Sequence, residues 1–277
     1  GAYRFKEYVE DNGEISVYQI QPKNQVVEIY SDPTTDAANR AKIIPRKITG
    51  PDKDYFFAGL VSSFGNGLYM TNVDIEMGTH DSWGVLFSRN SNGALTNVSI
   101  KGAAEPSGGH DGVVLQNGAA AYIGGYEADA VIEGVDRGIM IRNEGFATVY
   151  GTLLIKAADI GISTFSSGTF RLALSGDGKI TAPTAINVNI GGLGYVDNHN
   201  NGVSIDGDVS VNEATLSIRG GTILGAETEI RVFNGFFEYQ NENSTIEANR
   251  LSCYGLSNVN VSGLSLTNNG GNGCVDN

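Results

Sequence analysis

One short pattern of small, apolar, variable and apolar positions recurs along most of the chain. Clear copies begin at Gly84, Gly112, Gly138, Gly161 and Ala185, and a weaker copy begins at Gly235. The steps between the clear copies are 28, 26, 23 and 24 residues. Alternating apolar positions are typical of β-strands with one buried face. A repeat of this length indicates a solenoid in which each repeat forms one turn.

A second column of isoleucines and valines, each followed by a polar residue, has nearly the same period. Its members are Ile75, Ile100, Ile132, Ile155, Ile180 and Ile205, with Ile230 and Val261 as extensions. A third alternating run follows each small-residue strand, as in Ala94-Leu95-Thr96. Helical stretches long enough for βαβ crossovers are missing between these runs, so the parallel strands must coil on themselves. The sequence predicts an all-β fold, a right-handed parallel β-helix of about eight coils.

Turns and surface positions fit the same repeat. Asparagines follow the small-residue strands at Asn90, Asn117, Asn143 and Asn212, where an asparagine tolerates a left-handed turn. The polar members of the second column nearly alternate in charge and predict an ion-pair ladder on a solvent face. These members are Glu76, Lys101, Glu133, Lys156, Thr181, Asp206 and Arg231. Residues 1–65 lack the repeat and are predicted to be a cap with an irregular first rung, followed by the β-helix at 66–277.

Composition narrows the classes of partner. The formal net charge of −13, with 18 basic and 31 acidic side chains, repels phosphate backbones and argues against nucleic acid. The sequence contains no stretch typical of a membrane span. Two cysteines, Cys253 and Cys274, lie about one coil apart; buried thiols are favoured over a contact across rungs. We predict no cofactor, because metal ligands have no recognisable spacing, although acidic turns offer oxygen ligands suited to Ca²⁺.

With its coil period, small-residue strand entry and Asn-rich turns, the region 66–277 resembles the pectin-lyase-like β-helix superfamily, and most closely the phage tailspike group. The resemblance implies a carbohydrate polymer as ligand, a homotrimer, and a place in a virion tail or outside the cell. It also implies glycoside hydrolase or polysaccharide lyase activity. The Trp-Ile-Asp-His motif of pectate lyases is missing, and Gly109-His110-Asp111-Gly112 with Asp136-Arg137-Gly138 only partly matches polygalacturonases.

Titratable residues cluster just before the small-residue column, along one edge of the predicted coil. They are His80, Asp81, His110, Asp111, Asp136, Arg137 and Asp159. Glycoside hydrolysis needs two carboxyl groups, and offsets of one and two rungs give roughly 5 and 10 Å. Asp111 with either Asp81 or Asp136 meets this requirement, with Arg137 binding the sugar and His110 orienting water or acting as base. The alternative is ordinary Asp-Gly turn chemistry and a surface ion pair between Asp111 and Arg137.

Aromatic residues near this edge complete the predicted site. Trp83 lies beside Asp81 and Gly84, and Tyr122 and Tyr126 come on following rungs, so we expect them to stack on sugar rings, together with His80 as a binding residue. A core or interface role for Trp83 is the alternative. Three functions remain open: a tailspike-like domain that binds and cleaves bacterial capsule or O-antigen, a secreted microbial polysaccharide lyase, hydrolase or epimerase, and a non-catalytic structural or adhesive β-helix.

Overall fold

The computed structural model describes residues 8–9, 15–16, 19–20, 26–31, 40–43, 57–77, 81–102, 110–126, 130–198, 204–220, 223–241, 246–267 and 274. Within these ranges the regular elements are all β-strands. The chain forms a right-handed parallel β-helix of about seven turns, which confirms the predicted fold class and comes close to the predicted eight coils.

The strands are short, except for four that bend across two faces of the coil. In chain order they are β1 (Tyr8–Val9), β2 (Ile15–Ser16), β3 (Gln19–Ile20), β4 (Val26–Tyr30), β5 (Ala41–Ile43), β6 (Phe57–Ser62), β7 (Gly67–Thr71), β8 (Val73–Glu76), β9 (Asp81–Ser88), β10 (Asn92–Thr96), β11 (Ser99–Lys101), β12 (Asp111–Gln116), β13 (Ala120–Gly125), β14 (Val131–Arg142), β15 (Phe146–Gly151), β16 (Leu154–Phe165), β17 (Thr169–Leu174), β18 (Lys179–Asn189), β19 (Leu193–Asn198), β20 (Ser204–Asn212), β21 (Thr215–Gly220), β22 (Ile223–Leu224), β23 (Glu229–Phe233), β24 (Phe236–Gln240), β25 (Ile246–Ala248), β26 (Arg250–Tyr254), β27 (Asn258–Ser262) and β28 (Leu264–Leu266).

Three parallel ladders run along the solenoid, as the three strands per repeat predict. Ladder A contains β4, β7, β10, β13, β15, β17, β19, β21, β24 and β27. Ladder B contains β5, β8, β11, the first halves of the long strands β14, β16, β18 and β20, and then β22. Ladder C contains β3, β6, β9, β12, the second halves of the same long strands, β23 and β26. Register shifts within β14, β16 and β18 mark the corner between ladders B and C.

Parallel pairing begins before residue 66. Strands β3, β4, β5 and β6 pair in parallel with β6, β7, β8 and β9, respectively, whereas β1 and β2 form a separate antiparallel pair. β25 and β28 pair with each other at the opposite end. Residues from the predicted cap therefore contribute strands to all three ladders, and whether they also cover the end of the core stays a prediction.

The inward positions form continuous apolar columns. In ladder C, Val85, Val113, Ile139, Ile162 and Ile186 lie in register on successive rungs and are fully buried. Burial of an aliphatic side chain of this size contributes about 1.5–3 kcal/mol. The regular repeat in the sequence is the repeat of these inward contacts.

The small-residue column is required for packing between ladders. A Cβ atom added to Gly138 would lie 2.4 Å from Ile155 Cγ2 and 2.5 Å from the carbonyl oxygen of Gly161. The first four glycines of the column meet the same obstacles, namely an isoleucine of the second column and the backbone of the next rung. Their φ angles are not in the left-handed region, so a sharp turn is not the reason for glycine here. The two columns found in the sequence pack against each other.

Three of the four predicted turn asparagines adopt left-handed geometry. The φ angles are 59° for Asn90, 55° for Asn117 and 50° for Asn143, and Asn143 Nδ2 donates to Asn117 Oδ1 at 3.2 Å. The exception is Asn212, which ends β20, while Glu213 takes the left-handed position with a φ of 50°. Asparagine is therefore common at this corner without being required at every rung.

The predicted ion-pair ladder is present over its first rungs. Glu76, Lys101, Glu133 and Lys156 are in register along ladder B. Glu133 lies 3.6 Å from Lys101 Nζ and 3.9 Å from Lys156 Nζ, measured from its two carboxylate oxygens. Because these side chains are a third to more than half exposed, each pair contributes less than about 1 kcal/mol.

The extensions of the two columns toward the C-terminus were wrong. Ile205 pairs with Leu224 and not with Ile230, and Ile230 pairs with Val209 in ladder C. Arg231 therefore leaves the predicted ion-pair column. Likewise, Val261 pairs with Tyr239 in ladder A, and the weaker copy at Gly235 precedes the ladder A strand β24. The coil shortens after β20, so a constant period overshoots the true register.

The two cysteines form a disulfide, which corrects their interpretation as buried thiols. The Cα atoms of Cys253 and Cys274 lie 5.0 Å apart across a separation of 21 residues. Cys253 is buried at the end of the core, in register with Val232, and Cys274 packs against the same core. The bond therefore joins the last strand of ladder C to the C-terminal segment.

Candidate functional site

The predicted catalytic edge lies at the corner between ladders B and C. Asp111 is in register with Trp83 on the preceding rung and with Arg137 on the following rung. The structure therefore brings these three residues together. The backbone of Asp81 lies in β9, one rung from Phe57, but its side chain is not described, and His80 lies outside the described residues.

Asp111 and Arg137 form a bidentate ion pair. Arg137 Nη2 donates to Asp111 Oδ2 at 3.1 Å, and Arg137 Nε donates to Asp111 Oδ1. The Asp111 side chain is 3% exposed, whereas that of Arg137 is 32% exposed. Burial raises the pKa of Asp111 above its ordinary value, and the hydrogen bonds and positive charge of Arg137 oppose that rise. Asp111 therefore holds the Arg137 guanidinium in one orientation at the surface.

His110 and Asp136 build the adjoining corner through backbone contacts. The backbone N–H of His110 donates to Asp136 Oδ2 at 2.9 Å. The His110 carbonyl accepts from the N–H groups of Asp136 and Arg137 at 2.9 and 3.1 Å. The side chain of His110 is buried, and that of Asp136 is half-buried. This reciprocal bonding fixes the β14 bend from which Arg137 projects.

This geometry bears on the predicted acid and base roles. A general acid or nucleophile must contact the bond that is cleaved. Asp111 is almost completely buried, and both its oxygens accept hydrogen bonds from Arg137. The raised pKa of Asp111 is a consequence of this burial. Its arrangement is that of a positioning residue, and the predicted catalytic role stays a prediction for Asp81, Asp111, Asp136, His110 and Arg137.

A shallow groove of about 320 Å³ opens beside Arg137, on the outer side of ladder C. It crosses β14, β16 and β18, a distance of about 9.6 Å along the solenoid axis. The lining residues are Arg137, Met140, Arg142, Ile160, Ser163, Phe165, Asn187 and Asn189. Among these lining residues there is no carboxylate, although the protein as a whole is acidic. We call this surface the arginine groove.

The floor of the arginine groove follows from strand register. Met140, Ser163 and Asn187 succeed one another on the outer side of ladder C, and Arg142 lies beside Phe165. Arg142 Nε donates to Gln116 Oε1 at 2.8 Å, which orients the guanidinium without neutralising it. The Phe165 ring is 44% exposed. The groove thus combines two oriented guanidinium groups, two amides, a hydroxyl and one accessible aromatic ring.

Sequence reasoning missed Arg142, Ser163, Phe165, Asn187 and Asn189. These residues occupy the outward positions of the repeat, which the pattern leaves variable. The sequence did carry a signal for this site, because one outward column of ladder C changes from apolar to polar residues between Met140 and Ser163. Val61, Leu86, Val114 and Met140 occupy it on earlier rungs, are at most 8% exposed and form a cluster separate from the main core.

Trp83 packs against this outer apolar cluster and is half-buried. The contact favours the alternative of a packing aromatic, although Trp83 remains next to Asp111 in register. Tyr122 and Tyr126 lie elsewhere, within and just after the ladder A strand β13. Their side chains are 59% and 77% exposed, and the Tyr126 ring lies 5.6 Å from that of Tyr150. The structure therefore does not bring these tyrosines together with Asp111.

Comparison with known proteins does not assign this chain to a family. No protein-family model matches the chain, and no curated protein or solved structure shows detectable similarity to it. In the described ranges, no helix is long and apolar enough to span a membrane. The same ranges contain no group of three or more histidine, cysteine or acidic residues arranged to hold a metal ion. A function is therefore inferred from the surfaces of the protein themselves.

Proposed function

We propose that this β-helix binds a bacterial surface polysaccharide, such as a capsule or O-antigen, as a tailspike-like domain of a virion tail or an extracellular protein. The observation that carries the proposal is the arginine groove. Its two guanidinium groups are oriented by neighbouring rungs, and two amide groups and an exposed ring lie beside them. Carbohydrate hydroxyls are recognised by such fixed donors and acceptors, and sugar ring faces stack on aromatic rings.

The open shape of the groove favours a polymer over a small molecule. Sites for small ligands are usually enclosed and mostly apolar. The arginine groove is shallow, and five of its eight lining residues are polar. Its three rungs span roughly 9.6 Å, enough for about two sugar rings of a chain that continues beyond the groove at both ends.

Binding is better supported than cleavage. Hydrolysis requires two carboxyl groups at the scissile bond, and the described lining contains none. Cleavage is the second candidate, since half-buried Asp136 precedes the groove residue Arg137 and its acidic side chain lies at the same corner. Release of reducing ends or of unsaturated products from bound polysaccharide, lost in Asp136→Asn, would establish it. A homotrimer is part of the proposal and is measured by sedimentation equilibrium.

The binding proposal is tested by affinity electrophoresis in gels that contain purified capsular or O-antigen polysaccharides. We expect retardation by at least one polymer, weakened roughly tenfold by Arg142→Gln, the equivalent of one lost charge-assisted hydrogen bond. Lys156→Gln is the matched control, because Lys156 is an exposed cation on ladder B, away from the groove. Equal retardation of the wild type and Arg142→Gln, or no retardation in any polymer, would refute the proposal.

A further inference from the structure

The outer side of ladder A carries a patch without charged side chains. On the four consecutive strands β7, β10, β13 and β15, the outward positions are Gly67, Tyr69, Thr71, Asn92, Ala94, Thr96, Ala120, Tyr122, Gly124, Phe146, Thr148 and Tyr150. The inward positions between them are core residues such as Leu68, Leu95 and Ile123. In a protein with 31 acidic and 18 basic side chains, a charge-free area of four rungs is unusual. We call it the tyrosine face.

Two exposed tyrosines of the tyrosine face lie in the same column. Tyr69, Ala94 and Tyr122 are in register on successive rungs, so the two tyrosines lie two strand spacings apart, about 9.6 Å. Ala94 between them is too small to cover either ring. Tyr69 and Tyr122 are 39% and 59% exposed, and Phe146 on the next rung is 39% exposed.

Hydrogen bonds hold two aromatic side chains of this face in place. The Tyr69 hydroxyl donates to Asn92 Oδ1 at 3.3 Å, and the Tyr150 hydroxyl lies 3.1 Å from Thr96 Oγ1. Rings that are already oriented lose little conformational entropy when a ligand stacks on them. The face is thus a prepared surface with hydroxyl and amide groups between the rings.

A second groove continues the tyrosine face toward the first rung. Its volume is about 360 Å³, and Tyr30 and Tyr69 both line it, together with Thr71, Ser31, Ile29 and Glu28. Tyr30 is 73% exposed and lies in register with Thr71. Tyr30 thus adds an exposed ring at this end of the face, in the column of Thr71, whereas Glu28 continues the column of Tyr69.

We propose that the tyrosine face binds an uncharged stretch of a carbohydrate chain, with sugar rings stacked on Tyr69 and Tyr122 and the chain parallel to the solenoid axis. The four strands of the face carry no outward charged side chain, which suits a neutral polymer, and the spacing of the two tyrosines is close to the repeat of two sugar rings in an extended chain. Threonine and asparagine side chains between the rings can pair with sugar hydroxyls. A protein partner with an apolar surface would leave those groups unpaired at a cost in free energy. The site is separate from the arginine groove and depends on the proposed function for its ligand class alone.

The test uses affinity electrophoresis in gels that contain a cellulose ether, a galactomannan or a dextran as neutral probes. We expect at least one polymer to retard the wild type, and Tyr122→Ala to weaken that retardation roughly tenfold. Tyr122→Phe should stay within about twofold of the wild type, because the ring face makes the contact. Tyr254→Ala is the matched control, since Tyr254 is 46% exposed on ladder C.

Four results would refute carbohydrate binding by the tyrosine face. No retardation by any of the three neutral polymers, or an equal loss in Tyr122→Ala and Tyr254→Ala, refutes the tyrosine face while leaving the arginine groove untouched. Wild-type self-association that Tyr122→Ala abolishes in sedimentation experiments would make this face a contact between copies of the chain and refute the proposal. Loss of neutral-polymer binding in Arg142→Gln would show that one surface, the arginine groove, accounts for all glycan binding.

Discussion

The arginine groove and the tyrosine face lie on the same solenoid and have opposite chemistry. Both lie over parallel ladders whose inward positions are aliphatic and almost completely buried. The outward positions differ: ladder C offers guanidinium and amide groups at the groove, whereas ladder A offers tyrosines among uncharged small residues. Because side chains alternate between the two sides of a strand, the outer side can change without altering the core. The inner columns specify the fold, and the outer columns carry the recognition chemistry.

The two surfaces also differ in how their residues are oriented. Arg137 is held by a nearly buried carboxylate, and Arg142 is held by an amide on the preceding rung. On the tyrosine face, hydroxyl contacts at 3.1 and 3.3 Å hold Tyr150 and Tyr69. The arginine groove therefore holds two guanidinium groups in fixed orientations, and the tyrosine face holds two aromatic rings. These differences make the two surfaces separable by mutation.

The largest expected effect comes from breaking the frame that the two surfaces share. We expect Gly138→Val to destabilise the fold by about 3 kcal/mol or more, because the new side chain would overlap Ile155 and the backbone of Gly161. Urea denaturation measures the loss, and both surfaces should stop binding glycans. Gly225→Ala is the control, since the nearest atom to the added Cβ is Thr228 Oγ1 at 3.9 Å. Equal stability of the two variants would contradict the packing role of the glycine column.

Removing the disulfide tests whether the stability of the C-terminal end of the solenoid can be separated from glycan binding. We expect Cys253→Ser to lower the free energy of unfolding by about 3 kcal/mol, because the cross-link closes a loop of 21 residues. Both surfaces involve strands before β19, so binding below the melting temperature should be retained. A reducing agent should lower the melting temperature of the wild type and leave that of the variant unchanged. A loss of glycan binding without unfolding would link this end to a binding surface.

A cross-comparison of the two binding variants gives an intermediate effect. Arg142→Gln should weaken retention on an acidic polysaccharide roughly tenfold and leave neutral polymers unaffected, while Tyr122→Ala should do the reverse. On each polymer, the loss of binding free energy in the double variant should equal the sum of the losses in the two single variants, because the residues lie on separate ladders. Strong non-additivity would mean that one polymer contacts both surfaces at once.

The smallest expected effect concerns two carboxylates with opposite pKa shifts. Hydrogen bonds from Ser217 and Arg219 lower the pKa of Glu238 on ladder A below its ordinary value of 4.5. Its stabilising contribution is therefore present above the unfolded pKa and lost as pH falls through the lower folded pKa. Burial raises the pKa of Asp111 on ladder C, so its contribution is present below the unfolded pKa and lost as pH rises through the folded pKa. Urea titrations between about pH 2 and 7 should show Glu238→Gln and Asp111→Asn removing slopes of opposite sign; slopes of the same sign would contradict this.

The fold could be predicted because its determinants repeat in the sequence. The inward columns through Ile75 and Val85 recur at nearly constant spacing, and each rung imposes the same steric demands. The prediction failed where spacing changed: Ile230 was assigned to ladder B, but the coil shortens after β20 and places it in ladder C. Period alone does not reveal such a change, because both columns are apolar and alternate in the same way.

The candidate site was predictable only in part. Adjacent positions in the repeat placed Asp111 beside Arg137, and the register of β12 with β14 and β9 brings both Arg137 and Trp83 next to Asp111. The repeat did not show that the Asp111 side chain is buried, nor that Tyr122 lies on ladder A, away from this corner. The groove residues Arg142 and Asn187 occupy variable outward positions, which carry no periodic signal.

The sequence by itself determined the three-ladder solenoid, its glycine column and the ion-pair ladder along ladder B, because these depend on contacts that recur from rung to rung. Tertiary structure alone decided that Asp111 is enclosed while Arg137 reaches the surface, that Cys253 meets Cys274, and that tyrosines and arginines form separate surfaces. The physical reason is that a repeating pattern encodes the average turn. A binding surface arises from bends, closures and outward side chains that differ from that average.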